Sequence, residues 1–452
     1  MPPCGLPSRF LAKTEAPDVQ AGFERTSIGD LPIDWVVDQL STNWEVIDCK
    51  HITADFISSG IPVVSIGEVQ GRFVDIERAK HTSPSFYSRL IEGGRKPRPG
   101  DLILSRNATV GEVAQVAHWH PPFAMGQDVC LLRKRFPDYS SDFLQSIFQS
   151  DIISRQLDNL MVGSTFRRVN VQQVKGLVIP FPRSVEQSAI AAALSDVDEL
   201  LRALEALIAK KRAIKQGAMQ ELLTGKTRLP GFGGARRAVT NTEIGDLPAD
   251  WRVIPVKEMT RGHKQGYFTK DQYVNDGVRL VRITDLLNPH IDYDSMPMLR
   301  LRSSDRDLYR IRVGDFLFAR SGAIGRYGIV DEDVDAIFGS YIIRFTFDSA
   351  ILRNEFFGYL YETNLVWKQL LSITQGSSNI NINAANIKCI QIPLPTIAEQ
   401  NAIVSVLSDM DAEIAALEAQ RYKTRAVKQG MMQQLLTGRI RLVKPQPAEA
   451  DA

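Results

Sequence analysis

Several patterns that mark whole classes of protein are missing from this chain of 452 residues. Its four cysteines lie far apart and form no CxxC pair, so we expect reduced thiols in a cytoplasmic protein rather than disulfides or a zinc site. No run reaches the roughly 18 apolar residues that a membrane-spanning helix needs. The first residues, MPPCGLPSRFLAKTEAP, lack the apolar core of a secretion signal and predict a loosely ordered tail.

An excess of one charge is also missing. The chain has 54 Lys and Arg against 52 Asp and Glu, a formal net charge of +2. A surface that binds nucleic acid would therefore have to be local. The length favours two to four domains, each large enough to bury its own core.

A complete phosphate-binding loop is absent as well, although MQELLTGKTRL at 219–229 contains Gly225-Lys226-Thr227. The pattern GxxxxGK[ST] requires a glycine where this chain has Gln220, and it requires a helix that begins at the loop. Here a long helical pattern ends instead, which argues against nucleotide binding. Gly225, and Gly438 in the related LLTGRIRL, are predicted to terminate helices.

What the chain does contain is a duplication. IGDLPIDW at 28–35 returns as IGDLPADW at 244–251, and the block at 179–229 returns at 392–442 with more than half of its positions identical. The offset of roughly 215 residues is far longer than any solenoid repeat, which indicates a duplicated domain rather than an array.

Between the repeated segments lie two variable blocks, about 41–178 and 257–391. Short β-rich runs such as IPVVSI, DLILS, VRLVRI, DFLFA and YIIRFTF occur in them. An apolar helical stretch follows in each block, FLQSIFQSDIISRQL and EFFGYLYETNLVWKQLL. The predicted fold class is α+β, with two mixed α/β domains whose strands are mainly antiparallel.

The repeated segments predict long helices. In the first, apolar residues recur in alternating steps of four and three, which is a coiled-coil seam: Ile190, Leu194, Val197, Leu201, Leu204 and Ile208. The second has Ile403, Leu407, Met410, Ile414 and Leu417, then meets Arg421, so we expect its stripe to shift onto Val427, Met431 and Leu435. The two helices are predicted to pack as an antiparallel coiled coil in a pseudo-two-fold repeat. The alternative is that each helix docks on its own domain.

Basic residues recur near the end of both helical segments. Lys210, Lys211, Arg212 and Lys215 match Arg421, Lys423, Arg425 and Lys428. A solvated helix face explains this run, since the C-terminal dipole favours cations, and contact with a partner or DNA is the alternative.

The repeated blocks resemble a known family. The paired IP[FL]P…EQ…LSDxD…KQGxMQxLLTGxxRL blocks and the LPxxW segments (Leu31, Pro32 and Trp35; Leu247, Pro248 and Trp251) look like the conserved regions of type I restriction–modification specificity subunits. The resemblance implies a tail (1–27), a first target-recognition domain (28–178), a first conserved region (179–229), a linker (230–243), a second target-recognition domain (244–391), a second conserved region (392–442) and a disordered tail (443–452).

The resemblance also implies a function. Each target-recognition domain would read one half of a bipartite site in double-stranded DNA, and the helices would set the gap and dock two methyltransferase subunits. Endonuclease/translocase subunits would join that assembly. S-adenosylmethionine, ATP and Mg²⁺ would belong to those partners, and this chain would be no enzyme.

Catalytic motifs are missing in agreement with this expectation. No [ND]PP[YF] motif is present, since Asn288-Pro289-His290 lacks the second proline. Gly231-Phe232-Gly233-Gly234 is not the FxGxG of a methyl-donor site. With six histidines and no spaced Cys or His cluster, no metal is expected.

DNA contacts require cations and amides for phosphates and polar side chains for base edges. Such residues lie in three stretches of each recognition domain, one of them a glycine-flanked loop at about 261–270, although ordinary solvated loops remain the alternative. In the first domain a polar loop, 163–168, is expected to lead into a strand. The candidates are Arg95, Lys96, Arg98, Arg106, Asn107, Ser164, Thr165, Arg167, Arg168, His263, Lys264, Lys270, Arg320, Ser321, Arg326, Ser377, Ser378, Asn379 and Asn381.

Other matched residues are predicted to be structural. Asp101 and Asp315 should brace turns, because phosphates repel carboxylates, and Asn170 and Asn383 are interpreted as turn-stabilising. Trp35 and Trp251 are expected to be buried anchors.

The two domains should read different half-sites, because GSTFRRVN in one matches GSSNININ in the other. The alternative function is a coiled-coil scaffold that reads no DNA.

Overall fold

The structure, a computed structural model, describes residues 20–161, 168–233, 238–374 and 382–444. They form two compact units. The first takes residues up to 204 together with those from 420 onward, and the second takes residues 205–419. Each unit therefore contains one predicted recognition domain and a part of each long helical segment. None of the described helices is both long and apolar enough to cross a membrane.

The first unit is built from short strands and helices, with the first long helix beginning in it. Its strands are Phe23–Thr26 (β1), Gly29–Pro32 (β2), Val36–Gln39 (β3), Trp44–Asp48 (β4), Phe56–Ile57 (β5), Ile61–Val64 (β6), Lys80–Thr82 (β7), Leu102–Ser105 (β8), Val113–Gln115 (β9), Ala124–Met125 (β10), Val129–Lys134 (β11) and Val178–Phe181 (β12). Its helices are Leu40–Asn43 (α1), Pro84–Leu90 (α2), Ser141–Phe148 (α3), Asp151–Met161 (α4), Val171–Lys175 (α5) and Ser184–Leu222 (α6).

The second unit repeats this plan. Its strands are Val239–Thr242 (β13), Gly245–Pro248 (β14), Arg252–Pro255 (β15), Thr260–Gln265 (β16), Val278–Val281 (β17), Met298–Leu299 (β18), Asp315–Ala319 (β19), Tyr327–Ile329 (β20), Ala336–Phe338 (β21), Ile342–Phe347 (β22) and Gln391–Leu394 (β23). Its helices are Ser303–Tyr309 (α7), Asn354–Tyr361 (α8), Asn364–Thr374 (α9), Ala384–Cys389 (α10) and Ile397–Leu435 (α11).

The main sheets of the two units have the same topology. The first unit orders its strands β4-β11-β8-β9 and the second β16-β22-β19-β20, all antiparallel. A smaller sheet in each unit contains one parallel pair, β6 with β10 and β17 with β21. The central strands β8 and β19 are fully buried, as their apolar runs predict. The prediction of mixed domains with mainly antiparallel strands is confirmed.

The long helices pack against each other within each unit. In the second unit, Lys211 and Lys215 of α6 lie 2.6 and 2.5 Å from Glu413 and Asp411 of α11, so the helices run antiparallel. In the first unit, Lys428 of α11 lies 2.7 Å from Asp198 of α6. The seam residues Ile190, Leu194, Leu201, Leu204, Ile208, Ile403, Leu407 and Ile414 are buried. The predicted antiparallel pairing is confirmed, and part of the basic run forms ion pairs across the seam.

The predicted shift of the stripe onto Val427 is wrong. Val427 is 56% exposed, whereas Met432 and Leu435 are buried. The stripe instead continues through the half-buried polar residues Arg421, Thr424 and Lys428. A long polar side chain can lie along a seam with its charged end at the edge, so the break in apolar sequence does not move the contact face.

A cluster that we call the latch occurs once in each unit. In the first, Trp35 Nε1 donates to Glu186 at 3.2 Å, and Arg441 donates to Glu186 and to Asp34 at 2.8 to 2.9 Å.

In the second latch, Trp251 Nε1 donates to Glu399 at 3.1 Å, and Arg228 donates to Glu399 and Asp250. Both tryptophans are buried, as predicted. Each latch joins the LPxxW segment of one repeat to the arginine that ends the helical segment of the other repeat.

The glycines before the latch arginines are confirmed as helix terminators. Gly225 and Gly438 both have φ +66°. A Cβ at Gly225 would lie 2.4 Å from Pro248, and one at Gly438 would lie 2.3 Å from Pro32. The glycine therefore serves both the left-handed backbone and the close approach of the LPxxW segment.

Candidate nucleic-acid interface

The loops that follow the central strands occupy equivalent places in the two units. The loop from Arg106 follows β8 and the loop from Arg320 follows β19. Gly111 and Gly325 close these loops with φ +97°, and a Cβ there would lie 2.7 Å from Leu157 or 2.5 Å from Trp367. Each glycine thus lets its loop pack closely against a helix of its own unit, α4 or α9. This contact fixes the backbone that carries the neighbouring side chains.

In the first unit the arginine of this loop is turned inward. Arg106 is only 3% exposed, and its Nη2 donates to Asp48 at 2.7 Å. Arg95 Nε donates to the backbone carbonyl of Asp48 at 2.9 Å. Two of the predicted DNA-binding residues therefore meet on one aspartate. Arg106 therefore binds the end of strand β4 rather than presenting its charge to solvent. We call this end of the sheet, where β8 ends, the sheet edge.

Two polar side chains at this edge are those of the half-buried Asn107 and the exposed Arg168. The two residues form an isolated β-bridge, and the Asn107 side chain accepts from Ala108 N–H at 2.9 Å. The Arg168 side chain is 56% exposed and lies 3.4 Å from Asp128. An exposed pair of this kind is worth little, so the guanidinium can exchange its partner for a phosphate or a base edge at small cost.

Lys96 and Arg98, both exposed, are not brought together with these residues. Arg98 lies beside Asp101 at the start of β8, whereas Arg106 follows its end. Five residues of extended chain separate Asp101 from Arg106, roughly 16 Å. The carboxylate of Asp101 accepts from Arg98 N–H at 2.8 Å and from Arg133 at 2.7 Å. Its predicted bracing role is confirmed, as is that of Asp315, which accepts from Arg312 N–H at 2.8 Å.

In the second unit, Arg320, Ser321 and Arg326 lie together in the loop after β19. The Arg320 N–H donates to the carbonyl of Tyr341 at 2.9 Å. Arg326 is exposed, and its Nη1 donates to the carbonyl of Ile283 at 3.3 Å. Tyr341 and Ile283, whose carbonyls bind Arg320 and Arg326, line the same cleft as the exposed Lys270.

The glycine-flanked segment before Lys270 is not the loop we predicted. Residues 260–265 form strand β16, whose alternating burial leaves His263 exposed and Lys264 half-buried. The His263 ring stacks on Phe345 with centroids 5.6 Å apart, and Lys264 Nζ lies 4.9 Å from the centre of the Tyr309 ring. Burial lowers the pKa of His263, and the nearby charge of Lys388 lowers it further. His263 is thus uncharged at neutral pH.

The opposite end of the second unit is acidic. The segment after β20 contains Asp331, Glu332, Asp333 and Asp335. Arg306 binds Asp335 at 2.6 and 2.9 Å, Arg310 binds Asp333 at 3.1 Å, and Tyr293 donates to Asp331 at 3.1 Å. Two of these carboxylates are thus paired with arginines, and β19 runs from this end of the sheet towards Arg320.

The remaining candidates lie outside the described residues: Ser164, Thr165, Arg167, Ser377, Ser378, Asn379 and Asn381. Residues 168–170, which follow the first three in sequence, lead into helix α5, not into the strand we expected. The side chain of Asn170 caps α5 and that of Asn383 caps α10, each accepting an N–H at 2.9 Å. Their turn-stabilising role is confirmed.

Within the described ranges, one group of three possible metal ligands occurs: Asp48, Cys49 and His51. Arg106 Nη2 faces this group, 2.7 Å from Asp48 and 3.7 Å from Cys49 Sγ. Burial and the charge of Asp48 raise the pKa of the Cys49 thiol. A fixed guanidinium beside a protonated thiol makes this group a poor cation site.

Sequence reasoning missed the aromatic side chains at the same edge of the second unit. Tyr273 and Tyr341 are 59% and 58% exposed beside the Arg320 loop. A tyrosine in a β-rich segment predicts a buried sheet position, so nothing in the sequence marked these two as exposed.

Comparison with known proteins shows which family the chain resembles along most of its length. The family model of the type I restriction modification DNA specificity domain matches residues 55–216 and again 248–424. The chain is 24% identical over 444 residues to the putative type I restriction enzyme MjaX specificity subunit of Methanocaldococcus jannaschii, covering 94% of this chain and 97% of that protein. It is 27% identical over 286 residues to the MjaVIII specificity subunit of the same organism, covering 62% of this chain and 66% of that protein.

Solved structures share the fold. The S subunit of a type I system from M. genitalium superposes with a TM-score of 0.55 at 14% identity, covering 89% of this chain and 96% of that one. A chain from another solved type I R-M system gives a TM-score of 0.56 at 18% identity, covering 91% and 99%.

Proposed function

The chain belongs to the type I restriction modification DNA specificity family, and we propose on this premise that it is the DNA sequence-recognition subunit of a type I restriction–modification complex. Two matches to the specificity domain in one chain correspond to two reading units. The observation that carries the proposal is the pair of equivalent sheet edges, at Arg106 and at Arg320, which share a frame and differ in side chains. The scaffold alternative is not favoured, because it gives such edges no purpose.

Each unit is proposed to read one half of a bipartite site in double-stranded DNA. In the first unit the Arg168–Asn107 edge offers a guanidinium and an amide, the groups that pair with guanine and adenine edges. In the second unit Arg320, Ser321, Arg326 and Lys270 offer a different set. Because the two sets differ, the half-sites should differ as well.

The chain contributes recognition rather than catalysis. S-adenosylmethionine, ATP and Mg²⁺ are assigned in this proposal to two methyltransferase subunits and to endonuclease/translocase subunits. The antiparallel helices α6 and α11 are proposed to dock the methyltransferase subunits and to set the unread gap between half-sites.

The direct test is to map methylated adenines in cells that carry this chain with its methyltransferase partner. The expected result is one bipartite sequence whose two halves differ. Methylation without sequence preference would refute the proposed function, whereas a perfect palindrome would refute only the claim that the units read different half-sites.

The gap has its own test. Removing four residues from α6 and the facing four from α11 shortens the helix pair by about 6 Å. Because DNA rises about 3.4 Å per base pair, the gap should shrink by one or two base pairs while both half-sites stay the same. A change in half-site sequence with an unchanged gap would contradict the assignment of spacing to these helices.

A further inference from the structure

A cleft of about 340 Å³ opens at the Arg320 edge of the second unit. Tyr267, Lys270, Tyr273, Arg282, Ile283 and Tyr341 line it. Tyr273 and Tyr341 expose more than half of their surface, and Phe268, the residue after Tyr267, is 68% exposed. Large aromatic side chains gathered at one exposed place mark an interaction surface more often than isolated ones do.

The cleft is continuous with the predicted DNA-binding residues. The backbone carbonyl of Tyr341 accepts a hydrogen bond from the Arg320 N–H at 2.9 Å, and that of Ile283 accepts one from Arg326 Nη1 at 3.3 Å. Lys270 is exposed at the rim. Asp271, also at the rim, accepts from the Thr269 hydroxyl at 2.7 Å. The cleft thus has Lys270 and Arg282 in its lining and contacts the backbone groups that bind Arg320 and Arg326, while Asp271 supplies one carboxylate.

The first unit has no tyrosine at the corresponding place. There, the N–H of Arg106 donates to the carbonyl of Asp128 at 2.8 Å, as the N–H of Arg320 does to Tyr341. The matched position therefore carries a carboxylate in one unit and a phenol in the other. An acceptor suits an amino group on a base, whereas an aromatic ring suits an apolar group.

We propose that Tyr273 and Tyr341 contact the bases of the half-site read by the second unit, and that the cleft takes the C5-methyl group of a thymine. This inference rests on the proposed function. The thymine methyl is the apolar group that base pairs present in the major groove, so it is the chemical match for the part of the cleft lined by three tyrosine rings and by Leu280, Ile283 and Ile342. Lys270 and Arg326 contact the flanking phosphates.

The experiment uses the full chain with its methyltransferase partner and a duplex containing the mapped site. Each thymine of both half-sites is replaced in turn by uracil, which pairs identically but lacks the methyl. At one position in one half-site the wild-type complex should lose roughly fourfold in affinity, the value expected for one buried methyl group. Tyr341→Ala should weaken binding to the thymine duplex and abolish the preference for thymine over uracil at that position only.

Salt titration separates the two kinds of contact. Tyr341→Ala and Tyr273→Ala should leave the salt dependence of binding unchanged, because tyrosine neutralises no phosphate, whereas Lys270→Ala should lower its slope by about one and leave the thymine preference intact. Phe136→Ala, which removes an aromatic ring that is 51% exposed just after β11 in the first unit, is the matched control and should change neither quantity.

The outcomes distinguish failure of this inference from failure of the proposed function. If no thymine-to-uracil change affects the wild-type complex, or if both tyrosine variants retain the full thymine preference, the inference is overturned while the proposed function stands. If the wild-type complex binds the mapped site no better than random DNA, the proposed function itself fails. Circular dichroism and thermal midpoints equal to wild type are required of each variant, and Tyr341→Phe, which keeps the ring, should retain the preference.

Discussion

The two units share their latch and differ at their sheet edge. In the latch the same four residue types make the same hydrogen bonds in both units, with Trp35 and Trp251 donating to Glu186 and Glu399 at 3.2 and 3.1 Å. At the edge the matched positions diverge, with Asp128 in one unit and Tyr341 in the other. In a duplicated chain, positions that stay identical are those the fold requires, and positions that change can set what each unit binds.

The same contrast explains the two loop arginines. Arg106 is held by Asp48, which pairs in register with Cys130. In the second unit the residue at the matching register position is the uncharged Gln265, paired with Ile343. The frame is therefore common to both units, while the residue at this register position is a carboxylate in the first unit and an amide in the second.

The largest effect should come from breaking a latch. Arg441→Ala leaves Asp34 and the buried Glu186 facing each other without a cation, and removing one partner of such a buried pair costs about 3 kcal/mol. Arg228→Ala should cost a similar amount in the second unit. Hydrogen exchange read at 23–39 and at 239–255 reports the two units separately. Each variant should increase exchange only in its own unit.

The exposed neighbour Arg439 provides the control for the latch. Arg439→Ala should stay within about 0.5 kcal/mol of wild type, because it removes an exposed side chain outside the cluster. Equal losses for Arg439→Ala and Arg441→Ala would show that helix-end charge, not the latch, provides the stability. Loss of protection in both units from one variant would contradict the assignment of one latch to one unit.

A smaller effect should follow from removing one edge cation in each unit. Arg168→Ala and Arg326→Ala should each weaken binding about tenfold, the low end for loss of a guanidinium contact. A hydroxyl-radical footprint should lose protection in one half-site for Arg168→Ala and in the other for Arg326→Ala. A footprint weakened in both halves by either variant would refute the separate reading of half-sites.

Arg98→Ala is the internal comparison for these variants. Arg98 lies at the start of β8 and uses its backbone, not its side chain, to bind Asp101. The variant should fold normally and bind DNA within about twofold of wild type. A tenfold loss would show that DNA covers both ends of the strand.

Much of the frame was predictable because it depends on local pattern. The 3.5-residue spacing identified the seam from Ile190 to Ile208, and glycine after a helical run identified Gly225 and Gly438 as terminators. The apolar runs identified strands β8 and β19. Each of these signals spans only a few helical turns or strand residues, so the local sequence is enough to predict it.

The site was less predictable because its geometry depends on residues distant in sequence. The partner of Arg106 lies 58 positions away, and Arg228 meets Glu399 across 171 positions. No local signal distinguishes an arginine that an aspartate has buried from one that faces solvent. The glycine and polar residues of strand β16 predict a loop, because an edge strand with one face in solvent needs few apolar residues.

The smallest effect should come from a half-buried carboxyl group that only the second unit has at this position. Glu362 follows α8 at the position where Gln149 follows α3. Burial raises the pKa of Glu362, while the Tyr327 hydroxyl, which donates to it at 3.0 Å, and the charge of Lys215 act the other way. A raised pKa means that the folded unit favours the protonated acid. Its stabilising effect is present below the unfolded pKa and is lost as pH rises through the folded one.

Glu362→Gln should therefore make the second unit more stable at pH 7 by on the order of 1 kcal/mol and change it little at pH 4. Chemical denaturation at pH 4, 5 and 7 measures the difference, and Glu258→Gln, which removes an exposed acid elsewhere in the second unit, should show no such trend. An equal gain at pH 4 and pH 7 would mean that the amide packs better than the acid, because a protonated carboxyl group carries no charge to remove. A gain confined to neutral pH would instead show that the second unit tolerates an ionised group where the first has an amide.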